Sequence, residues 1–264
     1  MICKLQIALF TACLTISVAM QAQHITQFRG PQRDGIYPES NLLKSWPAEG
    51  PAMRWKIEGL GNGYSSPALI NLPSRQVIAN FTIHNFIGLD AATGELSWSR
   101  NLIGPGDIQA NKPLYENGFL NYSTGGGNGI VKLALAADGR SITEVWTSPK
   151  VSDVHGGFVK VGNYIYSSQY KPRRYCSVDA TTGQITDSLK FDKGSLICAD
   201  DMLYLYTEKG MVGLVSQHNG KMELVSSFKM PVGNKEFFTI PVISEGVLYL
   251  RHGDVMLAYD IRKK

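Results

Sequence analysis

The chain has 264 residues, of which 44% are hydrophobic and 18% are charged, and it contains 27 glycines. This profile is that of a globular protein with many turns, and it excludes a disordered or collagen-like chain. The formal net charge of +4 is too small to indicate binding to nucleic acid or to an anionic membrane surface.

The N-terminal segment 1–22 has the pattern of an export signal. Lys4 is its only charged residue, and an apolar run at 5–20 leads to a small-residue end. We expect this segment to be removed, which takes away one lysine and no acid and leaves a net charge of +3. Polar residues dilute the apolar run, so we expect no transmembrane segment. Lipid attachment at Cys13 is the alternative, but this cysteine lies inside the apolar run, where an attachment site would be misplaced.

A short phrase recurs along the rest of the chain. The sequence LDAATGE at 89–95 returns as VDATTGQ at 178–184, and weaker copies occur at 135–139 and 215–220. The turn glycines of the four copies are separated by 45, 44 and 37 residues. A period of about 40 residues indicates one supersecondary unit per repeat.

Each phrase predicts a β-hairpin. An apolar strand leads into Asp90 or Asp179, whose carboxylate can accept bonds from backbone N–H groups two or three residues later. The Thr-Gly pair that follows supplies a residue that tolerates a positive φ. A further strand then begins, and it contains Trp98 or Trp146 in two repeats. We interpret these tryptophans, together with Trp55, as wedges between units rather than ligand-stacking residues, because they recur at one position of the repeat.

Two more strands are predicted ahead of each phrase. Candidates for the first strand of each unit lie at 66–70, 113–116, 157–161, 196–199 and 241–244. Candidates for the second strand lie at 76–81, 118–123, 163–168, 201–206 and 246–251. We therefore predict an all-β fold, a β-propeller of about five four-stranded antiparallel blades. In this interpretation residues 23–52 form an N-terminal extended segment, and residues 53–264 form a single propeller domain.

The last unit needs a fourth strand. Residues 53–57 are a candidate, since Trp55 stands where Trp98 and Trp146 stand in their units. We predict that this N-terminal strand joins the last blade and closes the ring, which would remove an open sheet edge.

The repeat resembles the PQQ-binding-like β-propeller repeat family. The resemblance rests on DAATGELSW at 90–98, FRGPQRDG at 28–35 and GLGNGYSSP at 59–67, with shorter pieces at 155–157 and 193–196. It implies a propeller, as in envelope-assembly proteins of the BamB type and in quinoprotein dehydrogenases. Members of the family usually have seven or eight blades. Either this ring closes with fewer blades, or it is incomplete and needs a partner copy.

The resemblance also names a cofactor, pyrroloquinoline quinone (PQQ). Quinoprotein dehydrogenases hold it on a tryptophan platform, beside Ca²⁺-binding carboxylates and, in some, a vicinal disulfide. This sequence has no adjacent cysteines and no acidic cluster of calcium type. We therefore expect no cofactor, and no metal, because no histidine has zinc-ligand spacing. Cys176 and Cys198 either pair or remain buried thiols.

No catalytic residue is predicted. The sequence has no Gly-x-Ser-x-Gly elbow, and GGGNG at 125–129 is interpreted as a hairpin loop because no helix follows it. In a carbohydrate-active propeller, paired carboxylates surround the axis, and Asp107 and Glu236, which stand near the entries to inner strands, are the acids that could face it. The basic residues Lys171, Arg173 and Arg174 are interpreted as a solvated turn.

Binding residues are expected where the loops lead into the first strands, because these strands line the channel of a propeller. The candidates share this position and differ chemically between repeats: Tyr64, Ser65, Ser66, Asn111, Lys112, His155, Ser195 and Thr239. Lys112 and His155 are the first choices for polar contacts. The alternative for His155 is a bond to backbone or water.

These observations favour an exported, non-catalytic propeller that acts as a binding or assembly scaffold in the periplasm or at the cell surface. The expected partner is an envelope protein or a small polar or carbohydrate ligand, and not nucleic acid. The alternative is an enzyme, either a degenerate quinoprotein-like oxidoreductase or a carbohydrate-active propeller.

Overall fold

The computed structural model describes residue 37 and residues 40–48, 50–63, 65–102, 109, 111–153, 156–233 and 237–263. The predicted signal segment 1–22, with Cys13, lies outside these residues. The candidate residues that also lie outside them are Tyr64, Asp107, His155 and Glu236. Every regular element in the described ranges is a β-strand. No helix that could cross a membrane occurs in them.

The strands form five antiparallel sheets in chain order, which we call blades 1 to 5. Blade 1 contains β1 (Ala68–Asn71), β2 (Gln76–Phe81), β3 (Asn85–Asp90) and β4 (Leu96–Asn101). Blade 2 contains β5 (Leu114–Glu116), β6 (Phe119–Thr124), β7 (Gly129–Leu135) and β8 (Ile142–Ser148). Blade 3 contains β9 (Phe158–Val161), β10 (Tyr164–Gln169), β11 (Arg174–Asp179) and β12 (Ile185–Leu189). Blade 4 contains β13 (Gly194–Ala199), β14 (Met202–Thr207), β15 (Met211–His218) and β16 (Lys221–Lys229). Blade 5 contains β17 (Val242–Ser244), β18 (Val247–His252) and β19 (Val255–Asp260).

The predicted all-β propeller is confirmed, and the predicted strands start within two residues of the observed ones. Several second strands begin one residue later than predicted. The reason is that Gly118, Asp201 and Gly246 have φ values of 83°, 57° and 75° and so belong to the preceding turn. The run at 125–129 forms the hairpin between β6 and β7, as predicted.

The repeat turns have the predicted hydrogen bonds. Asp90 Oδ1 accepts from the backbone N–H groups of Ala92 and Thr93 at 2.7 and 2.9 Å. In blade 3, Asp179 Oδ1 accepts from the equivalent two N–H groups at 2.7 and 2.8 Å. Each turn ends in a glycine with positive φ, so the chain can reverse into the fourth strand without a Cβ clash.

The core lies between the blades. Each of four buried apolar clusters combines residues of two consecutive blades, for example Phe81 with Tyr122, Trp146 with Val178, Tyr175 with Leu205, and Tyr206 with Leu250. Burying these faces removes apolar side chains from water on both sides of each shared surface. Every blade is therefore stabilised by its neighbours rather than by a core of its own.

The repeat tryptophans contribute to these contacts. The indole of Trp146 in β8 packs on Gly183 in the turn of blade 3, and its Nε1 donates to the carbonyl of Ala180 at 3.2 Å. Trp55 packs in the same way on Gly94 in the turn of blade 1, and its Nε1 donates to the carbonyl of Ala91 at 3.1 Å. The interpretation as wedges between units is confirmed for Trp55 and Trp146, whereas Trp98 packs on Gly88 of its own blade.

One predicted detail differs from the structure. In the described part of the chain, blade 5 has three strands in the order β17-β18-β19, and residues 53–57 form no strand. Closure of blade 5 by this segment is therefore not observed. Trp55 nevertheless docks on the turn of blade 1 as Trp146 docks on the turn of blade 3, and this contact of the indole requires no backbone pairing.

Candidate functional site

The antiparallel meander gives the molecule two faces. The loops that lead into the first strands lie at the same end of the sheets as the hairpins between the second and third strands, and we call this end the loop face. The repeat turns and the hairpins between the first and second strands lie at the other end, the turn face. All the predicted binding residues in the described ranges belong to the loop face.

In blades 1 and 2, the predicted residues hold the loop face together. Ser65 Oγ donates to the carbonyl of Phe81 and accepts from its N–H, both at 3.0 Å. Asn111 is buried, and its Nδ2 donates to the carbonyls of Ser123 at 3.2 Å and Asp153 at 3.0 Å. The Asn111 side chain therefore ties blade 2 to the loop that leads into blade 3.

In blades 4 and 5, two predicted residues are joined directly. Ser195 is buried, and its Oγ donates to the carbonyl of Thr239 at 2.9 Å. Thr239 Oγ1 in turn donates to the carbonyl of Arg251 in β18 at 2.9 Å. Ser152, which was not predicted, has the same role in blade 3, where its Oγ donates to the carbonyl of Thr124 at 3.0 Å. These bonds fix the backbone of the loops, because each uses a side chain to satisfy a main-chain group.

Two predicted residues have a different setting. Ser66 is exposed, and Lys112 is partly buried beside Asn111. Tyr64 and His155, the remaining candidates, lie outside the described ranges. Of the predicted residues that the structure describes, Ser195 and Thr239 are hydrogen-bonded to each other. Ser65 instead bonds to a residue of its own blade.

A small cavity lies on the loop face where blades 3, 4 and 5 meet. Its volume is about 10 Å³, and its lining includes Asp153, Ser195, Glu208 and Phe237. This volume is close to that of one water molecule. Pockets that enclose small organic ligands usually measure several hundred Å³. The cavity is therefore too small for a sugar or a quinone.

A charged network joins blades 3 and 4 on the loop face. Arg173 donates to Asp192 and, at 3.1 Å, to Glu208 Oε2, while Lys193 pairs with the other oxygen of Glu208. The Lys193 ammonium also lies 4.2 Å from the centroid of the Tyr170 ring. The interpretation of Arg173 as part of a solvated turn is wrong, because this guanidinium bridges two blades. The predicted repeat could have indicated this contact between blades. Arg173 and Glu208 lie in hairpins that occupy the same position in consecutive units, so the two hairpins are neighbours on one face.

The loop face also carries exposed apolar side chains that the sequence analysis did not single out. From 237 to 242 the chain alternates, and the even-numbered residues are exposed. This places Phe238, Ile240 and Val242, each at least half exposed, on one side of the segment that leads into β17. We call these three residues the rim patch. An exposed apolar stripe of this kind is typical of a surface that contacts another macromolecule.

The described residues do not fit a quinone site. The indoles of Trp55 and Trp146 are covered by turn glycines, and Trp98 is buried between blades 1 and 2. None of these rings offers an open platform for stacking. Nor does any group of three or more histidine, cysteine or acidic residues in the described ranges lie close enough to hold a metal ion. The absence of a cofactor stays a prediction.

Cys176 and Cys198, the cysteines within the described ranges, are unpaired. Cys176 is buried between blades 2 and 3, and its thiol donates to Gln169 Oε1 at 3.3 Å. Burial raises the pKa of Cys176 to about 11. Cys198 is partly buried, and burial raises the pKa of its thiol as well. Neither thiol is activated as a nucleophile, because nucleophilic cysteines have a lowered pKa.

Comparison with known proteins gives one matching family and 214 similar solved chains. The family model described as outer membrane protein assembly factor BamB matches residues 54–188, just over half of the chain. BamB from Moraxella catarrhalis is similar, with a TM-score of 0.59 and 18% identity over 81% of this chain and 66% of that chain. The computationally designed Ika8 protein has a TM-score of 0.51 and 13% identity over 73% of this chain and 57% of that chain. The chain thus spans just under two thirds of the Moraxella protein, and both likenesses concern the fold alone. No curated protein matches the sequence significantly.

Proposed function

Because this chain belongs to the family described as outer membrane protein assembly factor BamB, we propose that it is an exported, non-catalytic propeller that serves as a binding or assembly scaffold in the periplasm or at the cell surface. Residues 1–22 would be its signal peptide, 23–52 an extended segment and 53–264 the propeller domain. Its partner would be an envelope protein, bound on the loop face.

The loop face supports a protein partner better than a small ligand. Its cavity of about 10 Å³ has no room for a sugar or a quinone. Its loops, in contrast, are held by side-chain bonds to the backbone, such as those of Asn111 and Ser195. Loops that are already ordered lose little conformational entropy when a partner binds. An ordered rim of this kind is suited to docking a surface.

The rim patch is the observation that carries the proposal. Phe238, Ile240 and Val242 expose apolar surface next to Thr239, which is bonded to both blade 4 and blade 5. Aromatic and aliphatic anchors on a well-ordered backbone are typical of the residues that dominate binding energy at protein interfaces. The partner would cover these side chains with an apolar surface of its own.

Affinity capture from an envelope extract tests this function. We expect the tagged protein to retain a specific partner, and the double variant Phe238→Ser, Ile240→Ser to lose it. Val225→Ser is the matched control, because Val225 is 57% exposed but lies in β16, away from the loop face. The control variant should retain the partner as the unchanged protein does.

Three outcomes would contradict the proposal. Equal retention by the double variant and the control would show that the rim patch does not bind the partner. Reduction of a dye with an alcohol or a sugar, after addition of PQQ and Ca²⁺ to the purified protein, would identify an oxidoreductase instead of a scaffold. Release of reducing sugar from a glycan would identify a carbohydrate-active enzyme instead of a scaffold.

A further inference from the structure

The turn face has a cleft of about 560 Å³ at the boundary between blades 1 and 2. Its charged lining residues come from three separate places in the chain. Arg54 precedes the docked Trp55, Arg75 and Asp90 belong to blade 1, and Asp138 and Arg140 belong to the turn of blade 2. We call this feature the arginine cleft. It lies on the face opposite the rim patch.

The acids of the cleft are already engaged. Asp90 forms a largely buried ion pair with Arg75, and its other oxygen accepts two backbone N–H groups of the repeat turn. Asp138 Oδ1 accepts from the backbone N–H of Arg140 at 3.0 Å. Neither Arg54 nor Arg140 forms an ion pair with any residue that the structure describes. The cleft therefore presents two guanidinium groups that no carboxylate neutralises within the described chain.

Comparison between the repeats shows that the turn itself does not require this charge. In blade 3 the residue that precedes the second strand is Asn163, and its Nδ2 donates to Asp179 Oδ2 at 3.3 Å. Arg75 has the same position and makes the equivalent contact to Asp90 in blade 1. An uncharged amide is thus enough to support the turn. In blade 1, the longer guanidinium also reaches blade 2, where Arg75 Nη1 donates to the carbonyl of Asp138 at 3.4 Å.

The backbones that carry the arginines are well anchored. Arg54 adjoins Trp55, whose indole is fixed on Gly94 and on the carbonyl of Ala91. Arg140 follows Gly139, whose position is packed against Val77 and Leu72 of blade 1. The side chains of Arg54 and Arg140 themselves are exposed, so a ligand can reach them from solvent.

We propose that the arginine cleft binds a small organic anion with at least two carboxylate or phosphate groups. The guanidinium fork matches both groups with paired N–H···O bonds, which are stronger than bonds between neutral groups. Arg54 and Arg140 would each take one anionic group, and Arg75, held by Asp90, would keep the wall between them in place. The site is independent of the rim patch and adds a ligand to the proposed scaffold function.

Titration of the full-length protein with citrate and, separately, with inorganic pyrophosphate, which carries two phosphate groups, tests the site. We expect saturable shifts of the backbone amide signals of Ala92 and Arg140 in NMR spectra, at constant ionic strength with chloride as the replacement salt. A response to citrate but not to pyrophosphate would identify a carboxylate ligand, and the reverse would identify a phosphate ligand. Arg54→Gln and Arg140→Gln should each weaken binding by about tenfold, the ratio that corresponds to loss of one charge-assisted pair.

Two further variants separate binding from folding. Arg75→Asn copies the arrangement of blade 3, so the protein should keep its melting temperature but bind the anion less tightly. Lys56→Gln is the matched control, because Lys56 is exposed two residues from Arg54 and pairs with Glu58. The proposal is overturned if neither anion gives a saturable shift. It is also overturned if the Arg54 and Arg140 variants bind as the unchanged protein does, or if Lys56→Gln weakens binding as much as they do.

Discussion

The indole of Trp146 lies so close to Gly183 in the next blade that a Cβ at residue 183 would stand 2.6 Å from Trp146 Cδ2. Trp55 and Gly94 have the same relationship, with a corresponding distance of 2.3 Å to Trp55 Cε3. The glycine of the repeat turn therefore has two functions. At Gly94 and Gly183 it adopts the positive φ of its own hairpin, and it leaves room for a tryptophan that lies earlier in the chain.

Substitution of this glycine should cost more than the strain of the turn alone. Gly183→Ala meets both a φ of +75° and the indole, whereas Gly118→Ala meets a φ of +83° with no atom within 4 Å of the new Cβ. We expect Gly118→Ala to lower the free energy of unfolding by about 1–2 kcal/mol. Gly183→Ala should lower it by about 1–3 kcal/mol more, because the added methyl overpacks the contact. Urea denaturation measures both, and equal losses would mean that the indole moves aside freely.

Removal of the indole tests the same contact from the other side. Trp146 is buried, so Trp146→Ala should lower the free energy of unfolding by about 3–5 kcal/mol. Trp46 is 68% exposed, and Trp46→Ala should change it by less than about 0.5 kcal/mol. Thermal and urea unfolding of the two variants give the comparison. A small effect at Trp146 would contradict its role as a wedge between blades 2 and 3.

The charged network between blades 3 and 4 predicts a loss of stability in acid. Burial by itself raises the pKa of Asp192, but bonds donated by Arg173 and by the Lys193 backbone outweigh it and hold the pKa of this carboxyl below its ordinary value of 3.8. The unfolded chain then takes up its proton at a higher pH than the folded protein. The ionised Asp192 carboxylate therefore stabilises the folded protein fully at pH values above the ordinary pKa. This stabilisation is lost as the pH falls through the lowered pKa of the folded protein.

Asp192→Asn should remove this pH dependence. We expect the urea midpoint of the unchanged protein to decrease as the pH falls below the ordinary carboxyl pKa of 3.8 and through the lowered pKa of Asp192, and the decrease to be smaller in the variant. Asp254→Asn is the control, because Asp254 is an exposed turn residue between β18 and β19. Identical pH profiles for the unchanged protein and Asp192→Asn would contradict the assignment.

The cysteines should differ in reactivity. Cys176 is buried with a pKa of about 11, whereas Cys198 is partly exposed. Since the thiolate is the reacting form, we expect a thiol reagent at about pH 8 to modify Cys198 first and Cys176 only after unfolding. Mass spectrometry of the labelled peptides measures the order. Rapid labelling of Cys176 in the folded protein would show that blades 2 and 3 separate readily.

The regular features of the fold could be predicted from the sequence because they depend on local chemistry. The Asp-x-x-Thr-Gly phrase fixes a hairpin through bonds that span two or three residues, and its two full and two weaker copies mark four of the five units. The role of residues 53–57 could not be predicted in the same way. Trp55 docks its indole on a turn and donates to a carbonyl 36 residues later. A tryptophan at this position is compatible both with this side-chain contact and with a strand that pairs through its backbone, and the sequence does not distinguish the two.

The candidate site was located by position but not by chemistry. The repeat correctly placed Ser65, Asn111 and Thr239 in loops at one end of the blades, whereas Ser195, predicted in such a loop, is the second residue of β13. Their bonds could not be predicted, because each depends on which carbonyl of another segment lies nearby. Asn111, for example, bonds to Asp153, 42 residues away. The arginine cleft was missed for the same reason, since Arg54, Arg75 and Arg140 become neighbours only when the turns of two blades meet.

The four buried clusters each join two consecutive blades, so the stability of each blade depends on the blades next to it in the chain. Blade 3 shares buried surface with blades 2 and 4, whereas the described contacts of blade 5 lie on its blade 4 side. In such an array, stability is approximately a sum of unit and nearest-neighbour terms. Amide hydrogens of β18 and β19 should therefore exchange with solvent through partial opening that leaves blade 3 protected. A defect at the boundary of blades 2 and 3 would have a different effect, because it would divide the array into two separately melting segments.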